Sequence, residues 1–220
     1  MTEKISVVIP ALETNRFAPE GDLVAFGDLT LLEWKITQMR KVVENKQIYV
    51  STPSEKAIAI AKRAGVNVIK RVENGELRNL IEQCANEVKE NDILWTNATS
   101  PFVSAADYKS MIKEYAILDQ KYDSLVAVYK IQENIMYGDR ALNFNIESIS
   151  ERVDLEPVFK ITNGCFIAKK DIYQAYGKYF GKKPYLYEVD KIASLEINSI
   201  ESFEITRDLI SLFIKKDLGV

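Results

Sequence analysis

Ile5-Ser6-Val7-Val8-Ile9, closed by Pro10 and followed by the mostly polar loop Ala11 to Leu23, sets the terms of the fold. A short, continuous β-branched run of this kind reads as a buried strand. Downstream, Thr30 to Val43 places Leu31, Leu32, Ile36, Met39 and Val43 at helical intervals, and Gln47 to Ser51 is the next strand. Ser54 to Ala64 reads as a helix capped by Ser54 and ended by Gly65. Asn67 to Ile69 is a strand, Leu77 to Glu90 a helix, Asp92 to Trp95 a strand and Ala105 to Asp119 a helix. This alternation predicts an α/β fold, a mostly parallel sheet with helices on its faces.

The second half changes character. Ser124 to Tyr129 is a strand, and Ile131 to Val153 has polar turns and weak periodicity, as expected of a hairpin or arm leaving the main sheet. Asn163-Gly164 reads as a turn within Phe159 to Ala168, whose Cys165 to Ala168 portion is a strand. Lys170 to Tyr179 is helical, Leu186 to Val189 extended, Ser194 to Asn198 a strand and Ser202 to Lys215 a final helix. Tyr173, Tyr176, Tyr179 and Phe180 fall at helical spacing and read as core or subunit contacts. No repeat or linker interrupts the chain, so one domain over residues 1–220 is expected.

Composition narrows the chemistry. The 220 residues carry 29 Lys and Arg against 32 Asp and Glu, a formal charge of -3. No basic field exists to hold a nucleic-acid backbone. The absence of His removes Ser-His-Asp and Cys-His catalysis and HExxH metal sites. Cys84 and Cys165 lie far apart and read as buried small hydrophobes. No stretch approaches the roughly 20 apolar residues of a spanning helix, so a soluble, cytoplasmic protein without a membrane partner is expected.

Open parallel sheets bind ligands beyond the carboxyl ends of their strands. The loop after the first strand, from Pro10 to Leu23, is therefore the first candidate site, and it contains neither GxGxxG nor GxxxxGK[ST]. Read with three later segments, it resembles the acylneuraminate (CMP-sialic acid) cytidylyltransferases and the related CMP-Kdo synthetases. Ile9-Pro10-Ala11, Pro19, Leu23, Gly27 and the helix start Leu31 to Ile36 fit that family's opening without a gap. Ala98-Thr99-Ser100-Pro101-Phe102 is similar to its Gln-Pro-Thr-Ser-Pro-Leu/Phe. Asp154-Leu155-Glu156-Pro157-Val158-Phe159 leading to Asn163-Gly164-Cys165-Phe166-Ile167 resembles DLPPVY…NGAIYI, and Glu196-Ile197-Asn198 falls where the family has Asp-Ile-Asp.

The resemblance implies a three-layer sandwich with a Rossmann-like nucleotidyltransferase sheet, and a homodimer with a dimerisation arm over roughly 131–158. It implies transfer of CMP from CTP to a sugar acid of the nonulosonic type, with pyrophosphate leaving. The alternatives are a divergent nucleotidyltransferase for another acidic acceptor, or a non-catalytic nucleotide-binding homologue. Carried over residue by residue, the catalytic positions are Arg16 and Asp22. Nucleotide contacts fall on Ala11, Leu12, Arg16, Asp22, Arg71, Asn97 and Thr99, and substrate contacts on Asn97, Ser100 and Asn163. Glu196 and Asn198 are the expected ligands of Mg²⁺ or another divalent cation, and alternation puts them on one face of the last strand. Departures cluster at the chemistry. Leu12 replaces a phosphate-contacting Arg, Arg16 replaces a Lys, Gly21 a second Lys, Asp22 an Asn, and Asn198 an Asp. Glu13 and Glu20 are expected to add repulsion to the loop, and Arg78 or Lys70 further positive charge.

Overall fold

The computed structural model describes residues 4–72, 75–148 and 151–217, with side chains through residue 210. β1 (Ile5–Pro10) is the first strand. A short hairpin, β2 (Ala25–Phe26) and β3 (Leu29–Thr30), leads into α1 (Leu31–Arg40), whose N-terminus is closed by a reciprocal capping box between Thr30 and Glu33. β4 (Ile48–Thr52), α2 (Glu55–Arg63), β5 (Asn67–Lys70), α3 (Leu77–Glu87), β6 (Asp92–Trp95) and α4 (Ala105–Ala116) follow. Then come β7 (Ser124–Ile131), a small ladder of β8 (Met136–Tyr137) and β9 (Arg140–Ala141), and the long β10 (Val158–Lys169). α5 (Lys170–Tyr176), β11 (Pro184–Glu188) and α6 (Ile200–Asp217) complete the chain.

Seven strands form one sheet in the order β11-β7-β10-β6-β1-β4-β5. β10 alone runs against its neighbours, pairing antiparallel with both β6 and β7. The strict two-residue alternation of side chains sorts each strand between two cores. Val7, Ile9, Val50, Leu94, Leu125, Ala127, Cys165 and Ile167 face one side, where α1, α2 and α4 cover them. Val8, Ile69, Ile93, Trp95, Val126, Val128, Phe166 and Ala168 face the other, against α3 and α5. The result is the expected three-layer α/β sandwich. Because both faces are buried, the strands are apolar throughout rather than alternating with polar residues.

A third cluster lies beyond the carboxyl ends of the strands. Phe17 from the loop after β1, Phe26 from the hairpin, Trp34, Ala98, Phe102, Ile197 and Ile210 pack there, so the loops at that end share a core of their own. This cluster explains one departure from the sequence reading. Residues 194–198 form no strand: Ile197 is buried among these aromatics and its N–H donates to the Thr99 carbonyl at 2.8 Å, in place of a strand partner. Asn163-Gly164 is likewise no turn but lies inside β10, where the pairing with β7 shifts register between Ile161 and Phe166. A Cβ at Gly164 would sit 2.7 Å from a Val103 methyl, so this irregularity needs glycine for close approach.

The two-sided core predicts a sharp contrast. Leu94→Ala, fully buried beneath α1 and α4, should cost about 2–5 kcal/mol in urea unfolding. Leu142→Ala, half exposed after the β8–β9 ladder, should cost within about 0.5 kcal/mol.

Candidate active site

The strand order reverses at β1. From it the chain steps outward to β4 and β5, then returns to pair β6 on the opposite side. A crevice opens at such a point beyond the strand ends, and here it holds a cavity of about 370 Å³. Its walls are the loop after β1, Arg71 after β5, the start of α3, the segment after β6, the irregularity in β10 and residues 196–198.

Ala11, Leu12, Arg16, Asp22, Arg71, Asn97, Thr99, Asn163, Glu196 and Asn198 all line this one cavity, although they come from five separate stretches of chain. Ser100 does not. It is fully buried behind the wall, and its backbone carbonyl accepts a hydrogen bond from Lys35 Nζ at 2.7 Å, so it cannot touch a substrate. Arg78 and Lys70 also stay outside, paired with Glu82 and Glu55 respectively.

The loop after β1 is held shut by a reciprocal pair. Leu12 N–H donates to Asp22 Oδ2 at 2.8 Å, and Asp22 N–H donates to the Leu12 carbonyl at 2.9 Å. Gly21 makes this closure possible: its φ is 56°, and a Cβ there would lie 2.4 Å from the Leu12 oxygen. Asp22 therefore closes the loop through Leu12, and it also lines the cavity where the sequence placed a catalytic role. Burial pushes its carboxyl up to about 6, opposed by the Leu12 N–H and by the Arg71 charge. Asn15 completes the loop by accepting from the Phe17 and Ala18 N–H groups at 3.2 and 3.0 Å. Glu13 turns away from the cavity. Its carboxylate takes the Ser54 hydroxyl at 2.7 Å and pairs with Lys56 at 2.6 Å at the start of α2, so the expected repulsion is absorbed there. A larger hollow of about 780 Å³ lies on this outer side of the loop, with Glu13, Glu20, Glu55 and Lys56 in its wall. Of the residues expected to bind ligand, only Leu12 reaches it.

Arg16 is exposed on the cavity wall with no ion-pair partner among the described residues. Arg71 is half-buried, donating to the Ala11 and Ser51 carbonyls at 3.3 and 3.4 Å. Two guanidiniums thus face one space, with fork geometry suited to phosphate oxygens. Opposite them, the Asn163 carbonyl accepts from Asn97 N–H, and Asn163 donates both its backbone N–H and its Nδ2 to the Glu196 carboxylate. A carboxylate has about four lone-pair sites, so Glu196 retains capacity beyond Asn163. With the Asn198 amide beside it, the wall carries hard oxygen donors of the kind Mg²⁺ accepts when phosphates complete its shell. Among the described residues, no group of three or more His, Cys, Asp and Glu side chains forms a self-sufficient metal site.

Sequence reasoning missed Tyr179. It lines the cavity beside Arg71, stacked on Phe166 with ring centroids 5.0 Å apart and 5.3 Å from Trp95. Helical spacing pointed to core, and the ring does cover core. But α5 ends at Tyr176, Gly177 turns the chain with a φ of 57°, and Tyr179 reaches the site from the following connection. Phe17, Leu77 and Leu80 supply the remaining apolar wall, and their signal was obscured because each also reads as ordinary packing.

The sheet order and the loop-built cavity beside β1 define a nucleotidyltransferase-like α/β protein. The model of the Cytidylyltransferase family matches residues 18–209, and the chain belongs to that family. The N-acylneuraminate cytidylyltransferase of Streptococcus agalactiae serotype III is 19% identical over 211 residues, covering 89% of this chain and 51% of that protein. The chain thus spans about half the length of the curated relatives it matches. Among solved structures, a CMP:2-keto-3-deoxy-manno-octonic acid synthetase complexed with CTP superposes with a TM-score of 0.71 at 13% identity, over 96% of this chain and 99% of that one. A cytidylyltransferase from Leptospira borgpetersenii gives 0.67 at 17% identity, over 97% and 89% of the two chains. The 4-diphosphocytidyl-2C-methyl-D-erythritol synthase of Anaerococcus prevotii gives 0.67 at 12%, over 94% and 98%. No helix among the described residues is long and apolar enough to cross a membrane.

The raised carboxyl of Asp22 predicts a pH signature. Its folded value lies above the unfolded one, so the protonated form stabilises the fold. That contribution is present at pH 4 and is lost as pH rises through about 6. Asp22→Asn keeps an acceptor for Leu12 N–H but cannot ionise. In urea unfolding, wild type should therefore lose up to about 3 kcal/mol relative to this variant between pH 4 and pH 7. Gly21→Ala should open the loop at every pH.

Proposed function

We propose that this chain transfers CMP from CTP to a hydroxyl of an acidic sugar of the nonulosonic type, with pyrophosphate leaving. The observation that carries the reading is the convergence of Arg16, Arg71, Asn97, Thr99, Asn163 and Glu196 on one cavity at the switch point of the sheet. Nucleotidyl transfer asks for little covalent work from the protein. The acceptor oxygen attacks the α-phosphorus in line, the bond to the bridging oxygen breaks, and pyrophosphate takes the electron pair. The protein must hold the reactants and answer the charge.

Arg16, with no ion-pair partner among the described residues, clamps the phosphates, and Arg71 adds a second guanidinium on the same side, beside the loop after β1. Asp22 holds the loop backbone in register around them through Leu12. Glu196 and Asn198 would hold a divalent cation such as Mg²⁺, which when bound neutralises and orients phosphate oxygens. Asn97, Thr99 and Asn163 offer amide and hydroxyl groups to the acceptor. Assembly belongs to the same reading: the arm exposes Met136, Tyr137, Leu142, Ile146 and Val153, apolar surface suited to covering a second copy in a homodimer.

One observation favours a second acceptor class. The wall formed by Asn97, Thr99 and Asn163 carries no cation, with the Glu196 carboxylate bonded to Asn163, and the cations of the cavity, Arg16 and Arg71, belong to the loops after β1 and β5. A polyol phosphate fits such a wall if its own phosphate reaches those arginines. The Anaerococcus neighbour is named as the synthase of a diphosphocytidyl polyol, the product such an acceptor would give.

Pyrophosphate release measured with CTP, UTP, ATP or GTP and Mg²⁺ tests both readings, against sialic, legionaminic, pseudaminic and Kdo acids and a set of polyol phosphates. The expected result is release from CTP with one acceptor class. Arg16→Ala and Arg71→Ala should each lower kcat/KM about 10²-fold, the scale of losing one charged contact to a developing transition state. Glu196→Ala should abolish turnover. Failure of CTP either to raise the melting temperature or to release pyrophosphate would overturn the proposal.

A further inference from the structure

α1 carries a lysine in an unusual place. Lys35 is completely buried, facing the core instead of solvent, and no carboxylate pairs with it among the described residues. Its Nζ donates to the Ser100 carbonyl at 2.7 Å and to the Tyr108 hydroxyl of α4 at 2.8 Å. That hydroxyl donates in turn to the Gly164 carbonyl at 3.0 Å and lies 2.7 Å from Thr96 Oγ1. The four partners are not scattered. Thr96 and Ser100 bracket Asn97 and Thr99, and Gly164 adjoins Asn163, so the network reaches both segments of that wall from behind. Gln38, one turn along α1, reinforces the first wall by donating to the Pro101 and Val103 carbonyls at 2.7 and 3.0 Å.

A methionine would fill the same space at no desolvation cost, whereas burying an amine among neutral acceptors is expensive. The titratable groups facing Nζ are the Tyr108 hydroxyl from α4 and the Cys165 thiol from β10. Burial pushes both of these upward and lowers Lys35 to about 7. Deprotonation does not break the network, because a neutral amine retains two N–H donors for its two acceptors.

We propose that Lys35 and Tyr108 are positioning residues that lock the segment after β6 and the irregularity of β10 together, so that the acceptor side of the cavity moves as one rigid wall. Gly164 packs closely on Val103 and Ser100, but the direct hydrogen bonds between the two segments among the described residues are the long ones of Asn97 to the Asn163 carbonyl at 3.4 Å. The nucleotide side, built from the loop after β1 and Arg71, makes no hydrogen bond to this network among the described residues. The division into acceptor and nucleotide sides rests on the proposed cytidylyl transfer, but the coupling of the two walls does not.

Lys35→Met and the milder Tyr108→Phe test the lock, alone and combined, at a temperature well below each melting point. Backbone amide hydrogen exchange should accelerate at least tenfold at Ser100 and at Asn163 together in either variant, and remain within twofold at Leu12 and Asp22. The double variant should be no faster than the faster single one, because both act on one network. Where turnover is present, kcat with the acceptor should fall about tenfold or more, while calorimetric CTP affinity stays within twofold of wild type. Acceleration at one wall only, or nucleotide and acceptor parameters falling in parallel with the melting temperature, would overturn the lock. Wild type that neither binds CTP nor releases pyrophosphate would sink the cytidylyl reading, and the exchange rates would still decide the coupling.

Discussion

β1 is hydrogen-bonded to β4 on one side and β6 on the other, and in a parallel sheet neither neighbour can be reached by a tight hairpin. Each must be approached by a crossover, and right-handed crossovers running in opposite directions put α1, on the way to β4, and α3, on the way to β6, on opposite faces of the sheet. The ends of β1 and β6 are left with no helix directly over them. That gap follows from chain connectivity, and the cavity lies in it. The remaining structure at that end serves to furnish and stiffen the gap.

Furnishing it raises a problem of order. The lining comes from loops, and loops of this length carry conformational freedom that binding would have to remove. Three devices reduce it in advance. The Leu12–Asp22 pair closes the first loop on itself, with Gly21 supplying the backbone angle. The aromatic cluster of Phe17, Phe26, Trp34 and Phe102 gives the loops a shared apolar core. Lys35, Gln38 and Tyr108 satisfy the carbonyls behind the opposite wall, which would otherwise be buried without partners. The two halves of the cavity are thus stiffened by different means: charge and backbone closure on one side, a buried polar network on the other.

Much of this was legible in the sequence, and the failures are instructive. Strands and helices of the first half were readable because burial on both faces makes a strand continuously apolar, while helices keep a polar face. Ser54 and Gly65 marked helix ends through their own side-chain or backbone chemistry. Residues 194–198 misled because Leu195 and Ile197 alternate with polar residues as a strand would. Their burial comes instead from the aromatic cluster, a partner remote in sequence. The Asn163-Gly164 pair misled because glycine serves both turns and close approaches, and only the neighbouring Val103 reveals which. Tyr179 carried the right spacing for core and was core on one side only.

The sequence by itself determined the α/β alternation, the location of a functional loop after the first strand and, through segments in matching order, the family. Those properties depend on local periodicity and on residues close together in the chain. Only the tertiary structure decided that ten candidate residues from five stretches meet in one cavity while Ser100 lies behind it. It also decided that Asp22 closes the loop, that Glu13 faces α2, and that a buried lysine braces the far wall. A side chain's charge and hydrogen-bonding capacity are written in its identity. Which partner uses them depends on distances between segments that sequence spacing does not encode.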